Sequence, residues 1–197
     1  MKLRKAIALA VLIFIMALFS PNSSDANILY KNKIIKYTPD KVQTLIDTYN
    51  FDKVDEYYFR GGQPDEDDFI NFAKLGIKTV INLRDDDVNE FRFTLIAKKY
   101  GIKYVNIPMK PSEPPGKEQR KQFFAILNNP ENLPVFVHCR QGKDRTGIMT
   151  ALYRIKYYKW DFKKTYQEMK EKGYHSLIFP EQKQFLYQYM QISESNL

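Results

Sequence analysis

After residue 56, two kinds of segment alternate along the chain, distinguished by the spacing of their apolar residues. Segments with apolar side chains three or four positions apart predict helices, and short β-branched or apolar runs predict buried strands. The predicted helices are residues 65–75, 88–100, 117–127, 146–158, 162–172 and 180–192, with a weaker one at 41–49, and the predicted strands are 57–60, 78–83, 102–107 and 134–138. Residues 108–116, which contain four prolines, predict a loop. Strands that alternate with helices predict an α/β fold, with a mainly parallel central sheet flanked by helices on both faces.

The first 26 residues follow a different pattern. Basic residues precede an apolar run at 6–19, and small or polar residues follow it, with Ser24 and Ala26 at the −3 and −1 positions of a cleavage site. The run is shorter than the roughly 20 residues that a membrane-spanning helix needs. We therefore predict a signal peptide at 1–26, with an uncleaved membrane anchor as the alternative, and a single domain at 27–197. We expect export to the periplasm or the medium.

The charge and the cysteine content narrow the classes of partner and site. The formal net charge is +8 at pH 7, which favours anionic partners such as phosphorylated molecules or an acidic membrane surface. The basic residues form no dense stripe, so we expect no nucleic-acid partner, and we expect a monomer. Cys139 is the only cysteine, which excludes an internal disulfide and a cysteine-based zinc site.

The segment around Cys139 carries the candidate chemistry. Cys139 directly follows the predicted strand 134–138, and Arg145 lies six positions later, just before the predicted helix at Thr146. A strand–loop–helix turn directs backbone N–H groups and the positive end of the helix dipole into one concavity, which binds anions and favours a thiolate. Gly142 permits the tight bend. Arg145 offers a planar fork of donors for two phosphate oxygens. The loop therefore combines a nucleophile, an oxyanion cradle and a charge clamp for phosphoryl transfer.

Neighbouring residues are assigned supporting roles. Thr146 can place its hydroxyl near the sulfur, and His138 can hydrogen-bond the loop and hold its shape. Arg60 and Arg84 each end a predicted strand at the sheet edge where α/β sites form, so they are candidates for the pocket mouth, although surface salt bridges explain them equally well. The residues expected to contact phosphate are Arg140, Gln141, Gly142, Lys143 and Thr146.

Two competing motifs do not fit this loop. A nucleotide-binding P-loop needs glycine at position 137 and serine or threonine at position 144, where the chain has Val137 and Asp144. A papain-like protease needs a distant catalytic histidine, and the candidate, His175, lies in a polar turn without a supporting signature.

The motif His-Cys-x-x-Gly-x-x-Arg-Thr-Gly, at 138–147, resembles the signature of the protein tyrosine and dual-specificity phosphatase superfamily. Residues 58–64 and 76–84 are similar to upstream segments of its bacterial and atypical dual-specificity members, so the resemblance covers about residues 55–175. It implies a central sheet flanked by helices and a two-step reaction through phosphocysteine, with no metal or cofactor. The implied substrates are phosphotyrosyl or mixed phosphoproteins, with phosphoinositides or inositol phosphates as the alternative. An inactive phosphate-binding module would be expected to lack Cys139 or Arg145.

The proton donor departs from the pattern that the resemblance implies. Such phosphatases usually carry an aspartate on a loop before the signature, but residues 107–116 contain Glu113 and no aspartate. Lys143-Asp144 resembles a bacterial subgroup in which the aspartate inside the loop is assigned the acid role and the lysine broadens the substrates toward phosphoinositides. The hypothesis is that Asp144 is the general acid, with Glu113 second, because a nearby phosphate favours a protonated carboxyl group. The alternative is that Asp144 pairs with Lys143 or caps the following helix.

Overall fold

The structure, a computed structural model, describes residues 50–87 and 89–195. The predicted signal peptide at 1–26 and the predicted helix at 41–49 lie outside these residues. Within the two described ranges, no helix combines the length and the apolar character that a membrane crossing requires.

A sheet of five strands forms the centre of the described part of the chain. The strands are β1 (Asp52–Lys53), β2 (Tyr58–Gly61), β3 (Thr79–Arg84), β4 (Lys103–Met109) and β5 (Val135–His138). Their order is β1-β2-β5-β3-β4, with β1 antiparallel to β2 and the other neighbours parallel. The prediction of a mainly parallel sheet is confirmed.

Helices cover both faces of the sheet, as predicted. They are α1 (Asp68–Lys74), α2 (Glu90–Lys99), α3 (Lys117–Leu127), α4 (Asp144–Tyr158), α5 (Phe162–Glu171) and α6 (Pro180–Ser195), with a 3-10 turn at Pro130–Asn132. Buried side chains of α1 and α2 pack on one face, and those of α3, α4, α5 and α6 pack on the other.

Strand β5 illustrates how one short segment serves both cores. Val135 and Val137 pack in the cluster beneath α3 and α4, whereas Phe136 packs beneath α1 and α2. Successive side chains of a strand point to opposite faces of the sheet, so an apolar run without alternation is what a strand covered on both sides requires.

Two boundaries differ from the prediction in ways that matter for the site. β4 continues through Pro108 to Met109, where a loop beginning at Pro108 was predicted. Because β4 is an edge strand, a proline that lacks an N–H group can lie in it. Helix α4 begins at Asp144, two residues before the predicted start at Thr146, so Asp144 belongs to the first helical turn.

Candidate active site

The ends of three parallel strands position the loop that contains Cys139. Gly61 at the end of β2 and Asn82 in β3 are both in register with His138, the last residue of β5. Cys139 therefore emerges between two neighbouring strands at the carboxyl edge of the sheet, where open α/β sheets place their ligands.

Gly142 bends the loop in a way that no other residue could match. Its φ is +72°, and a Cβ atom added there would lie 2.5 Å from the backbone carbon of Gly61. The Gly142 carbonyl accepts hydrogen bonds from Arg60 Nη2 at 2.7 Å and from Asn50 Nδ2 at 3.2 Å. The N–H of Gln63 donates to the Arg140 carbonyl at 3.2 Å. The loop is thus held by its carbonyl oxygens, on the side away from its N–H groups.

The N–H groups of the loop form an anion cradle. Within the described residues, no backbone N–H from Arg140 to Arg145 donates a hydrogen bond to a protein acceptor. The first turn of α4 adds the positive end of its dipole to these donors. Cys139, at 3% exposure, lies at the start of this cradle. The arrangement places a buried thiol beside a site for a tetrahedral oxyanion.

Arg145 is held in place by two acceptors. Its Nη1 donates to Asp85 Oδ1 at 2.7 Å and to the carbonyl of Met109 at 3.0 Å. Both bonds use the same nitrogen, so within the described residues the other guanidinium donors are left for a ligand. The carbonyl of Met109 is available because β4 extends beyond Pro108.

His138 and Thr146 stabilise the base of the loop. His138 is fully buried, and burial lowers the pKa of its imidazole to about 3, so the ring is neutral. Its Nδ1 lies 3.4 Å from the Cys139 carbonyl, and the ring stacks on Phe136. The Thr146 hydroxyl donates to the carbonyl of Gly61 at 3.3 Å, which ties α4 to the end of β2.

Asp144 has an unexpected partner. Its Oδ1 accepts a hydrogen bond from the backbone N–H of His175 at 2.8 Å, and its Oδ2 lies 2.9 Å from His175 Nδ1. The carboxylate therefore neither pairs with Lys143 nor caps α4, the two roles weighed from the sequence.

These groups open into one pocket of roughly 430 Å³. A separate cavity of roughly 460 Å³ is lined by Asp55, Tyr153 and Tyr157, among others, and by no residue of the loop. The pocket at the loop is lined by Asp86, Pro111, Cys139, Arg140, Gln141, Asp144, Arg145, His175, Ile178 and Phe179. Arg140 and Gln141, both expected to contact phosphate, are exposed on its wall.

Several predicted residues lie elsewhere. Arg60 is 1% exposed beneath the loop, so its expected position at the pocket mouth is wrong. Arg84 also does not line the pocket, because its guanidinium bonds Asp86 and Gln63. The methylene stem of Lys143 packs against Gly173, and Lys143 is not a lining residue.

Glu113, the second candidate for the acid, is likewise outside the pocket. Its carboxylate pairs with Lys110 at 2.8 Å, and its side chain is 60% exposed. Neither residue lines the cavity at Cys139. Asp144 does line it, so of the two predicted acids only Asp144 is at the site.

Among the titratable residues at the site, three were not assigned a role from the sequence: Asp85, Asp86 and His175. The acidic run 85–87 directly follows β3, and its place at the carboxyl edge of the sheet was a usable signal. His175 gave no such signal, because it follows α5 and reaches the pocket only through the packing of its turn.

Comparison with known proteins identifies the family and the fold. The family model described as "DSP-PTPase phosphatase fused to NAD+ Kinase" matches residues 31–185. The crystal structure of TpbA from Pseudomonas aeruginosa has a TM-score of 0.61 at 20% identity, covering 72% of this chain and 85% of that one. This likeness confirms the fold.

Curated relatives differ in how much of their length is matched. The chain is 28% identical over 115 residues to probable NAD kinase 2 of Oryza sativa, a match that covers 56% of this chain and 12% of the kinase. It is 29% identical over 123 residues to probable tyrosine-protein phosphatase DG1060 of Dictyostelium discoideum, covering 60% and 73% respectively. It is 27% identical over 141 residues to inositol diphosphatase DSP2 of Oryza sativa, covering 66% and 64%.

The family match includes every element that forms the pocket, from β2 to the turn that carries His175. The structure places the buried thiol, the N–H cradle and Arg145 in one loop, where the strand–loop–helix pattern of the sequence predicted them. The chain belongs to the DSP-PTPase phosphatase family that this model describes.

Proposed function

We propose that the protein hydrolyses phosphate monoesters by transferring the phosphoryl group first to Cys139 and then to water. The observation that carries this proposal is the buried Cys139 thiol beside backbone N–H groups that have no acceptor among the described residues. A phosphoryl group supplies oxygens for these donors and an electrophilic phosphorus for the thiolate.

In the first step the Cys139 thiolate attacks the phosphorus, the S–P bond forms, and the bond from phosphorus to the leaving oxygen breaks. The N-terminus of α4 and the Arg145 guanidinium stabilise the negative charge on the phosphoryl oxygens during the attack. Asp85 and the Met109 carbonyl occupy Nη1 of Arg145, which fixes the plane of the guanidinium while its remaining donors hold phosphoryl oxygens.

In the second step water attacks the phosphocysteine, the S–P bond breaks, and the thiolate is restored. The leaving oxygen needs a proton in the first step, and the attacking water loses one in the second. Asp144 is the acidic side chain that we place in this proton transfer, because it lines the pocket and Glu113 does not. Because Asp144 is hydrogen-bonded to His175, the proton can be transferred by either of these two side chains.

Phosphotyrosyl and mixed phosphoprotein substrates are the proposed class. The similarity to the probable tyrosine-protein phosphatase DG1060 of Dictyostelium discoideum supports this choice. Inositol phosphates are the second candidate, supported by the name of the rice inositol diphosphatase and by the exposed Arg140 on the pocket wall, which suits a substrate with several phosphates.

Hydrolysis of 4-nitrophenyl phosphate tests the chemistry. We expect turnover that Cys139→Ser abolishes and that chelators do not change, because the proposed nucleophile is a thiolate and no step uses a metal. A trapped phosphocysteine, detected by mass spectrometry after acid quench, should appear with wild type and not with Cys139→Ser. Phosphate binding without turnover would instead support an inactive binding module, and activity that requires a metal would exclude the mechanism.

A parallel assay of phosphotyrosyl peptides, phosphoinositides and inositol polyphosphates tests the substrate class. We expect the highest kcat/KM for phosphotyrosyl peptides. Arg140→Gln provides the comparison, because losing an exposed positive charge at the pocket should weaken polyphosphate turnover more than peptide turnover. A preference for inositol polyphosphates that Arg140→Gln removes would favour the second candidate.

Export is also proposed, on the order of basic, apolar and small residues in 1–26. N-terminal sequencing of the protein recovered from a bacterial host would show a mature chain that begins at Asn27. Recovery of the uncleaved chain in the membrane fraction would support the anchor. Size-exclusion chromatography with light scattering tests the expected monomer.

A further inference from the structure

A pair of hydrogen-bonded side chains, Asp144 and His175, lies on the pocket wall with Cys139 and Arg145. His175 engages both oxygens of the carboxylate, one through its backbone N–H at 2.8 Å and the other through Nδ1 at 2.9 Å. The His175 side chain is 34% exposed, and within the described residues its ring has no hydrogen bond at Nε2. One ring nitrogen therefore bonds Asp144, and the other has no hydrogen-bond partner among the described residues.

The other carboxylates near the pocket are engaged by arginine. Asp85 accepts from Arg145 at 2.7 Å. Asp86 accepts from Arg84 at 3.1 Å, and this hydrogen bond lowers the pKa of Asp86, which keeps it ionised. An ionised carboxylate bound to an arginine cannot supply a proton, so neither of these residues fits the role of the acid.

The turn that carries His175 is fixed against the catalytic loop. The His175 carbonyl accepts from the N–H groups of Ile178 and Phe179, both at 3.0 Å, and the Tyr174 hydroxyl donates to the Phe179 carbonyl. At the start of the turn, Gly173 packs under the stem of Lys143. The position of the imidazole is thus set by bonds within its own turn as well as by Asp144.

We propose, on the basis of the phosphatase function proposed above, that His175 is the proton donor of the reaction and that Asp144 is its positioning residue. In the first step Nε2–H of the imidazolium passes its proton to the leaving oxygen as the bond from that oxygen to phosphorus breaks. In the second step the free electron pair of Nε2 takes a proton from the attacking water, which restores the imidazolium. Asp144 accepts the hydrogen bond from Nδ1–H in both steps.

The geometry favours the imidazole over the carboxylate as the donor. Both Asp144 oxygens already lie within hydrogen-bond distance of His175, so each oxygen is occupied where it would have to meet a leaving group. Imidazole readily gives and recovers a proton near neutral pH, and a carboxylate at Nδ1 fixes the tautomer and the ring plane. The hypothesis of Asp144 as the direct acid is replaced by a pair in which the aspartate acts through the histidine.

The deciding variant is His175→Asn, assayed with phenyl phosphate, a poor leaving group, and with 4-nitrophenyl phosphate, a good one. Asparagine can donate to Asp144 from the position of Nδ1 but cannot carry a proton. We expect kcat for phenyl phosphate to fall about 10²-fold or more, while kcat for 4-nitrophenyl phosphate stays within about fivefold of wild type. Ser176→Ala, in the same turn, is the matched control and should leave both rates near wild type.

Chemical rescue supplies the second readout. Added imidazole should restore phenyl phosphate turnover to His175→Ala, because a free base can enter the space that the ring leaves, and it should not affect Asp144→Asn. Retained phenyl phosphate turnover in His175→Asn, together with its loss in Asp144→Asn, would make Asp144 the donor and overturn the proposal. An equal loss on both substrates without rescue would also overturn it, since His175 would then only support the loop. Failure of wild type on both substrates would contradict the phosphatase function itself.

Discussion

Gly142→Ala is the substitution whose cost follows most directly from the structure. At φ +72° an alanine pays about 1–2 kcal/mol for the left-handed backbone. Its Cβ would also lie 2.5 Å from the Gly61 carbon and 2.6 Å from the Gly62 nitrogen, where ordinary contact begins at 3.4 Å. The backbone must therefore move by about 1 Å. This strain is comparable to that of an overpacked core, which lowers the free energy of unfolding by about 1–3 kcal/mol.

Gly76→Ala separates the two contributions. Gly76 has a φ of +76°, almost the same as Gly142, but a Cβ there meets nothing within 4 Å. Both variants carry the backbone strain, and only Gly142→Ala adds the steric strain. We expect Gly142→Ala to lose about 1–3 kcal/mol more of its free energy of unfolding than Gly76→Ala.

Urea unfolding and steady-state hydrolysis of 4-nitrophenyl phosphate measure the two effects. A displacement of about 1 Å in the cradle should lower kcat/KM about 10²-fold in Gly142→Ala, whereas Gly76→Ala should stay within about twofold of wild type. If both variants lose the same stability, or if Gly142→Ala keeps wild-type kcat/KM, the close approach of the loop to Gly61 is not what shapes the cradle.

Three further substitutions test the supports of the loop. Arg145→Lys keeps the charge but loses the fork that bonds Asp85 and phosphate together, so kcat should fall by about 10²-fold or more in the same assay. Arg60→Met removes the donor that lies 2.7 Å from the Gly142 carbonyl. The loop then loses a charge-assisted hydrogen bond of about 1.5–3 kcal/mol, so kcat/KM should drop at least about tenfold. For His138, the folded pKa of about 3 lies below the ordinary value of 6.5, so the unfolded chain binds the proton first and stability is lost as pH falls from about 6.5 toward 3. Urea unfolding at pH 7.5 and pH 5 should show that wild type loses about 2 kcal/mol more over this interval than His138→Asn, and equal losses would show that the ring is not held neutral.

Local patterns were sufficient for the elements and for the loop. The apolar run 134–138, Cys139, Gly142 and Arg145 are contiguous, and their relation to one another follows from a strand that runs into a helix. The start of α4 was predicted less accurately, because its first residues are polar and show no apolar periodicity. The edge strand β4 was cut short at Pro108 because its position at the sheet edge is a property of the sheet and not of the segment.

The side chains and carbonyl groups that these residues contact could be known only from the tertiary structure. Arg60 and Arg84 both end strands at the correct edge, yet one is buried under the loop and the other bonds Asp86. Which side of a sheet a strand-end side chain occupies depends on the register with its neighbours and on what covers it. Glu113 failed as an acid for the same reason, because loop residues adjacent in sequence need not face the cavity.

The sequence by itself determined the chemistry of the nucleophile, because the thiol, the N–H cradle and the arginine lie within seven consecutive residues, Cys139 to Arg145. Only the tertiary structure decided which side chains surround that loop, because Asp85 and His175 reach it from 60 and 31 positions away from the residues they bond. A short loop is specified by local geometry, whereas a pair such as Asp144 and His175 forms only when packing brings the two segments together.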